Sequence, residues 1–261
     1  MASLSVVAVD LLEEGAMLRL VLNQPKANVL TTAMMQELSS ALRAHRDHRR
    51  LRLVLLRGAG GNFSYGAAVE EHTRDRVAAM LRTFHALVRD VAEYPVPIAA
   101  LVEGRCLGGA FELALCCHFV FAAAGARLAC PEVTLGVFPP VFAIAGPRRM
   151  GGALAERLLL TGGEIDARAA EQCGLATALP PGEDPGEAVM RWYREHLAPL
   201  SAYALRQAAA ASRRGSDLVV ALRDELPAIE QQYLEQVATS RDGNEGIEAF
   251  IARRPPRWED A

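Results

Sequence analysis

Residues Glu103–Pro140 read EGRCLGGAFELALCCHFVFAAAGARLACPEVTLGVFPP, and this stretch decides the fold. Pro97 to Glu103 is a short apolar run of the kind a buried strand shows. Gly104 and the Gly108-Gly109 pair interrupt it, and an apolar helical run from Phe111 to Cys117 follows. A helix starting near Gly109 presents free N–H groups and the positive end of its dipole. Glycines at that point let a polar ligand atom approach the backbone closely. Such a spot suits an oxyanion or other developing negative charge. Glu112 falls in the first turn, beside it. Arg127 to Cys130 reads as a short strand, and Pro131-Glu132 come directly after it. Taken singly, Glu112 reads as a solvated dipole partner and Glu132 as a surface turn residue. Each carboxylate sits beside Gly or Pro inside apolar sequence, and as a pair they point to acid/base chemistry.

Outward from this stretch, strands and helices alternate. Ser5 to Val9 and Ala16 to Leu22 read as paired strands turning at Glu13-Glu14-Gly15. A loop, Asn23 to Asn28, precedes a helix capped by Thr31 or Thr32 and running to about His45, with Met34, Met35, Leu38 and Leu42 on one face. His45 and His48 suit its basic end. Leu51 to Leu56 is a strand. Gly58-Ala59-Gly60-Gly61 follows, but Phe63 stands where a dinucleotide fingerprint needs its last glycine, so that motif is rejected. Phe63 to Val69 is a loop of small residues able to set a backbone N–H against a ligand. Asp75 to Glu93 is an amphipathic helix, and its His85 reads as a helix-surface or packing residue. Helices are expected at about 153–160 and 166–173, the second with a capped start at Asp166, and a short strand at 175–179. Beyond Pro185 the pattern is helical: about 187–197, 201–213, 218–239 and 244–252. This order suggests an α/β core with an α-helical C-terminal part.

Composition narrows the function classes. The chain has 261 residues, 51% hydrophobic and 23% charged, with a net charge of −3. That suits a globular fold and argues against bulk nucleic-acid binding. Lys26 is the single lysine among 28 basic residues. The five cysteines are odd in number and mostly apolar in context, as expected for reduced buried thiols. No C-x-x-C or His/Cys cluster suggests a metal. The apolar run Leu4 to Val9 lacks a basic leader and is followed by acids, so no signal peptide is expected. No run reaches membrane-spanning length. A cytoplasmic location is the expectation.

Five motifs in order resemble the enoyl-CoA hydratase/isomerase (crotonase) family over nearly the whole chain. They are Leu22 to Leu30 (LNQPKANVL), Phe63 to Val69 (FSYGAAV), Gly104 to Leu113 (GRCLGGAFEL), Pro131 to Gly136 (PEVTLG) and Asp242 to Phe250 (DGNEGIEAF). The resemblance implies an α/β fold, a crotonase-like ββα spiral core over residues 1–198. An α-helical C-terminal region, 199–261, would build trimers or dimers of trimers. It implies an acyl-CoA substrate, with coenzyme A entering as part of it and no separate cofactor. The Ala67 and Gly109 N–H groups would form the oxyanion hole, and Glu112 and Glu132 fall on the two hydratase glutamates. Lys26, Ala27, Val29, Ser64, Ala68, Val69, Gly108 and Phe138 would contact substrate or CoA. Phe250 and Arg253 would reach the CoA of an adjacent subunit.

Three departures shape the substrate expectation. Ala68 replaces a usual Asp, Glu70 stands where a lysine often meets CoA, and Phe138-Pro139-Pro140-Val141-Phe142 replaces a glycine-rich turn. Ser64 to His72 (SYGAAVEEH) together with GVFPP resembles the branch of the family that hydrates a cyclic conjugated dienoyl-CoA. The alternatives are a straight-chain enoyl-CoA hydratase, an isomerase or dehalogenase-like relative, and a non-catalytic acyl-CoA or RNA binder. The glutamate pair disfavours the isomerase, and the acidic balance disfavours the RNA binder. A Ser64/His72 hydrolase has no support in the spacing.

Overall fold

The computed structural model describes residues 5–261; Leu4, where the apolar N-terminal run begins, lies outside them. The chain opens with a hairpin, β1 (Val7–Leu12) and β2 (Met17–Leu22), whose turn passes through Glu13–Gly15. Helix α1 (Thr32–His45) follows. Thr31 is its cap, accepting from the Met34 N–H at 3.3 Å, and Met34, Met35, Leu38 and Leu42 are buried. Three successive units then repeat one pattern. A long strand enters the large sheet, a short element enters a second sheet, and a helix closes the turn. The first unit is β3 (Leu53–Gly58), a bridge at Ser64, and α2 (Val77–Ala92). The second is β4 (Ile98–Val102), β5 (Arg105–Leu107) and α3 (Gly109–Leu115). The third is β6 (Phe119–Ala122), β7 (Arg127–Ala129) and the helix pair α4 (Pro140–Met150) and α5 (Gly152–Thr161). This is the ββα spiral that the motifs imply.

The chain continues through β8 (Glu164–Asp166), α6 (Ala167–Gln172), β9 (Thr177–Ala178) and α7 (Pro185–His196). Asp166 caps α6 as its sequence suggests, accepting from the Ala169 N–H at 2.8 Å. The large sheet runs β1-β2-β3-β4-β6-β9, antiparallel at the first pair and parallel from β2 onward. The small sheet runs β5-β7-β8. Strand β4 is buried on both faces, as parallel central strands are. Ile98, Ala100 and Val102 face the main core with α1, α2 and α3. Ala99 and Leu101 face Val189 and Tyr193 of α7.

The C-terminal helices are α8 (Ala202–Gly215), α9 (Leu218–Asp224), α10 (Leu226–Gln232) and α11 (Arg241–Ile251), with a π-helical turn, Tyr233–Val237, after α10. Leu218, Leu222, Leu226, Tyr233 and Ile247 join the main core, so this region packs onto the spiral. One sequence expectation needs correction and two are sharpened. The helix expected at 218–239 is three pieces, because Pro227 has no N–H to continue a helix across Glu225–Leu226. The Phe138 to Phe142 segment, which stands in place of a glycine-rich turn, is partly helical: Pro140 opens α4 at the position where a missing N–H costs nothing. Of the two readings of His85, packing is the one found: it is 1% exposed and paired with Glu230 of α10.

Candidate active site

Two loops bring two backbone N–H groups together. Gly66 has φ +92, and a Cβ there would lie 2.6 Å from the Leu107 carbonyl and 3.4 Å from the Gly109 nitrogen. Only glycine allows the 63–69 loop to pack this closely on β5 and the start of α3. Ser64 holds the loop in place: it is buried, its N–H donates to the Arg105 carbonyl, and its hydroxyl accepts from the Gly66 N–H at 3.0 Å. The Ala67 nitrogen lies 3.5 Å from where a Gly109 Cβ would stand. Among the described residues neither the Ala67 nor the Gly109 N–H has an acceptor, and both line one cavity. Gly109 is also the first residue of α3. At the far end of that helix, Arg213 donates to the Cys116 carbonyl and Arg149 to the Cys117 carbonyl at 3.2 Å. Cations there complement the dipole's negative end and satisfy carbonyls the helix leaves free.

Both glutamates face the same cavity. Glu112, one turn into α3, is 3% exposed. Its Oε1 accepts from the Phe142 N–H at 2.9 Å, in the first turn of α4. Glu132 follows β7 in a 3₁₀ turn, Pro131–Leu135. Gly108, with φ +53, makes room for it: a Cβ there would collide with Glu132 Oε1. Its Oε2 is shut from solvent and has no partner among the described residues. Burial pushes the Glu112 carboxyl up, opposed by backbone N–H groups of Phe142 and Val141. Burial also pushes Glu132 up, and the Glu112 charge adds to it, with less hydrogen bonding in opposition. The first proton therefore leaves Glu112 more readily.

The cavity has a volume of about 350 Å³. Its walls are largely apolar, from Met80, Leu81 and Phe84 of α2, from Leu135, Val137 and Phe138, and from Ile247 and Phe250 of α11. The structure brings Ala27, Val29, Val69, Gly108, Phe138 and Phe250 to this cavity with Ala67, Gly109, Glu112 and Glu132. Phe250 reaches its own chain's cavity. Lys26, Ser64, Ala68 and Arg253 do not line it. Lys26 is exposed, and its carbonyl accepts from Asn62. Ala68 is buried, and its carbonyl meets His72 Nδ1 at 2.8 Å. Phe142 faces the core, its ring tilted against Phe111 with centroids 5.6 Å apart.

Two contributors escaped the sequence reading, and a third, His72, entered it only as a rejected hydrolase partner of Ser64. His72 lines the cavity, and burial lowers its pKa, favouring the neutral ring. The N-terminus of α4 supplies the donor to Glu112. Tyr233 lines the same wall from more than a hundred residues away in sequence. No local pattern marks any of the three, because each acquires its role only by packing. Among the described residues no group of His, Cys, Asp and Glu could hold a metal ion, and no helix is long and apolar enough to cross a membrane.

Comparison with known proteins gives the same picture over the whole chain. The family described as Enoyl-CoA hydratase/isomerase matches residues 13–261. A cyclohexa-1,5-dienecarbonyl-CoA hydratase of Thauera aromatica is 42% identical over 95% of this chain and 94% of its own length. A 2,3-dehydroadipyl-CoA hydratase of Escherichia coli is 33% identical over 93% of this chain and 94% of its own length. The crystal structure of an enoyl-CoA hydratase from Mycobacterium avium subsp. paratuberculosis superposes with a TM-score of 0.83 at 26% identity, covering 99% of this chain and all of the other.

Proposed function

The chain belongs to the enoyl-CoA hydratase/isomerase family and is an acyl-CoA hydratase, a hydro-lyase; from that premise we propose that it adds water to a cyclic conjugated dienoyl-CoA thioester. The observation that carries the mechanism is the pair of buried carboxylates facing the same cavity as two unpaired backbone N–H groups. In this reading the thioester carbonyl oxygen sits between Ala67 N–H and Gly109 N–H. Glu112, held toward its ionised form by the α4 N–H groups, takes a proton from water. The water oxygen forms a bond to the unsaturated carbon as that O–H bond breaks. The displaced π electrons run to the carbonyl oxygen, where the two N–H groups stabilise the enolate. Protonated Glu132 then returns a proton to carbon as the carbonyl re-forms. Water is added in net, and a proton has passed from one glutamate's side to the other.

The cyclic substrate is favoured by the relative from Thauera and by the shape of the acyl wall. Phe138 packs edge-on against Tyr233 at 5.4 Å, and Pro139 and Pro140 stand beside it. A flat, rigid wall suits a ring better than a long mobile chain. The test is incubation with crotonyl-CoA and with a cyclohexadienecarbonyl-CoA, reading product mass for added water. A higher kcat/KM on the ring is expected. Preference for crotonyl-CoA or a longer straight chain would leave a general enoyl-CoA hydratase.

A further inference from the structure

Tyr233 carries a polar atom in a place that should not tolerate one unused. The residue is 2% exposed, and its hydroxyl has no hydrogen-bond partner among the described residues. Buried tyrosine hydroxyls ordinarily find a partner. Tyr233 is one of the residues lining the cavity that holds Glu112 and Glu132, whose charges act on its phenol. Glu132 Oε2 is the other unpartnered buried oxygen on that cavity.

The surroundings fix the ring rather than leave it mobile. Phe138 meets it edge-on. Tyr233 opens a π-helical turn directly after α10, and such turns shift the side-chain register of a helix, often at functional sites. One turn earlier on the same helix, Glu230 pairs with buried His85 of α2, tying α10 to the helix that forms another wall of the cavity. Burial and the charges of Glu132 and Glu112 keep the phenol protonated, so it remains both a donor and an acceptor.

We propose that Tyr233 is a substrate-positioning residue whose hydroxyl hydrogen-bonds the oxygen being added, as water before reaction and as the β-hydroxyl of the product after it. This rests on the hydratase reading and deepens it. Tyr233 takes no proton; it fixes where the oxygen stands relative to the carbon it attacks. A site that hydrogen-bonds a hydroxyl discriminates against the analogue lacking it, because its own polar group is then left unpaired.

The test compares binding of 3-hydroxybutyryl-CoA and butyryl-CoA to the wild-type protein and to Tyr233→Phe by calorimetry, alongside hydration kinetics on crotonyl-CoA and the cyclic dienoyl-CoA. The wild type should favour the hydroxyacyl thioester by about 10-fold. Tyr233→Phe should bring that ratio close to one while leaving butyryl-CoA affinity within about twofold, and kcat should fall by about 10- to 100-fold with little change in KM. A purely structural role would move both affinities together. Absence of discrimination in the wild type, or its persistence in Tyr233→Phe, overturns the assignment of Tyr233. Absence of hydration by the wild type overturns the hydratase reading instead, and the binding ratio still decides the role of the tyrosine.

Discussion

In the proposed mechanism proton transfer rests on two residues whose surroundings differ. Glu112 has backbone donors and Glu132 has an unpaired oxygen, so the lower-lying member of the pair is the base. Replacing either by Gln keeps its shape and removes its proton; kcat should fall by about 10²–10⁴ for each, with the protein folded. Near wild-type turnover in either variant would remove that residue from the mechanism. The pair's titration is lifted to about 7 and about 8. Reaction needs one acid charged and the other neutral, so kcat/KM should be bell-shaped with its maximum near neutrality. The sign for stability follows from the same shift. The folded-state values lie above the ordinary carboxylate value, so their contribution to stability is full below the ordinary range. It is lost as pH rises through the folded values. Glu132→Gln stays neutral, so its Tm relative to wild type should be higher at pH 9 than at pH 5, by about 2–6 °C. A Tm difference that does not change with pH would show that Glu132 ionises at no cost.

Helices α3 and α4 meet at the site by their N-terminal ends, α3 offering Gly109 N–H and α4 offering Phe142 N–H. Opposite ends of α3 therefore do different work. Arg213 is 7% exposed and closes the C-terminal end on the Cys116 carbonyl. Arg213→Ala should lower Tm by about 4–8 °C, the loss of a charged hydrogen bond in a chain of this size; a shift under about 1 °C in a melting curve would dismiss the anchor. The acyl wall belongs to the segment entering α4. Phe138→Ala should narrow the kcat/KM preference for the cyclic thioester over crotonyl-CoA by about 10-fold, the scale of losing apolar contacts to a substrate. Phe142→Ala should instead cost about 3–5 kcal/mol of stability and leave the preference alone, because Phe142 packs on Phe111 in the core. A changed preference in Phe142→Ala, measured on folded protein, would show that its ring also bears on the acyl group.

At the scale of the whole molecule, the C-terminal helices leave apolar side chains uncovered. Tyr203 is 72% exposed and Phe250 52%, with Leu200, Ile251 and Trp258 also exposed. Surface of this kind fits contact with further copies of the chain. Sedimentation at micromolar concentration should give three or six times the 28.1 kDa chain mass; a monomer would reject the trimer expectation and the role of Arg253 at a neighbour's CoA.

Local sequence determined the catalytic half of this protein. Gly66 and Gly108 are legible because positive φ and close approach leave no other residue type workable, and Gly109 by its place at the start of an apolar helical run. Glu112 is legible because a first-turn position fixes where it points, and the apolar period of α1 and α2 because burial has only one helical spacing. Tertiary structure alone decided the rest. Whether Pro139-Pro140 ends a strand, stiffens a loop or opens a helix depends on what the following residues pack against, and α4 packs on α3 and α5. Phe138 lies before α4 and lines the cavity while Phe142 in its first turn packs on Phe111, a division that two phenylalanines four apart do not encode. Ser64 and Ala68 share a motif with Ala67, yet they are turned into the scaffold by hydrogen bonds to Gly66 and His72. Tyr233 reaches the cavity of the glutamates only because α10 packs on α4. Its chemistry depends on contacts more than a hundred residues apart, and these exist only once the chain has closed around the cavity.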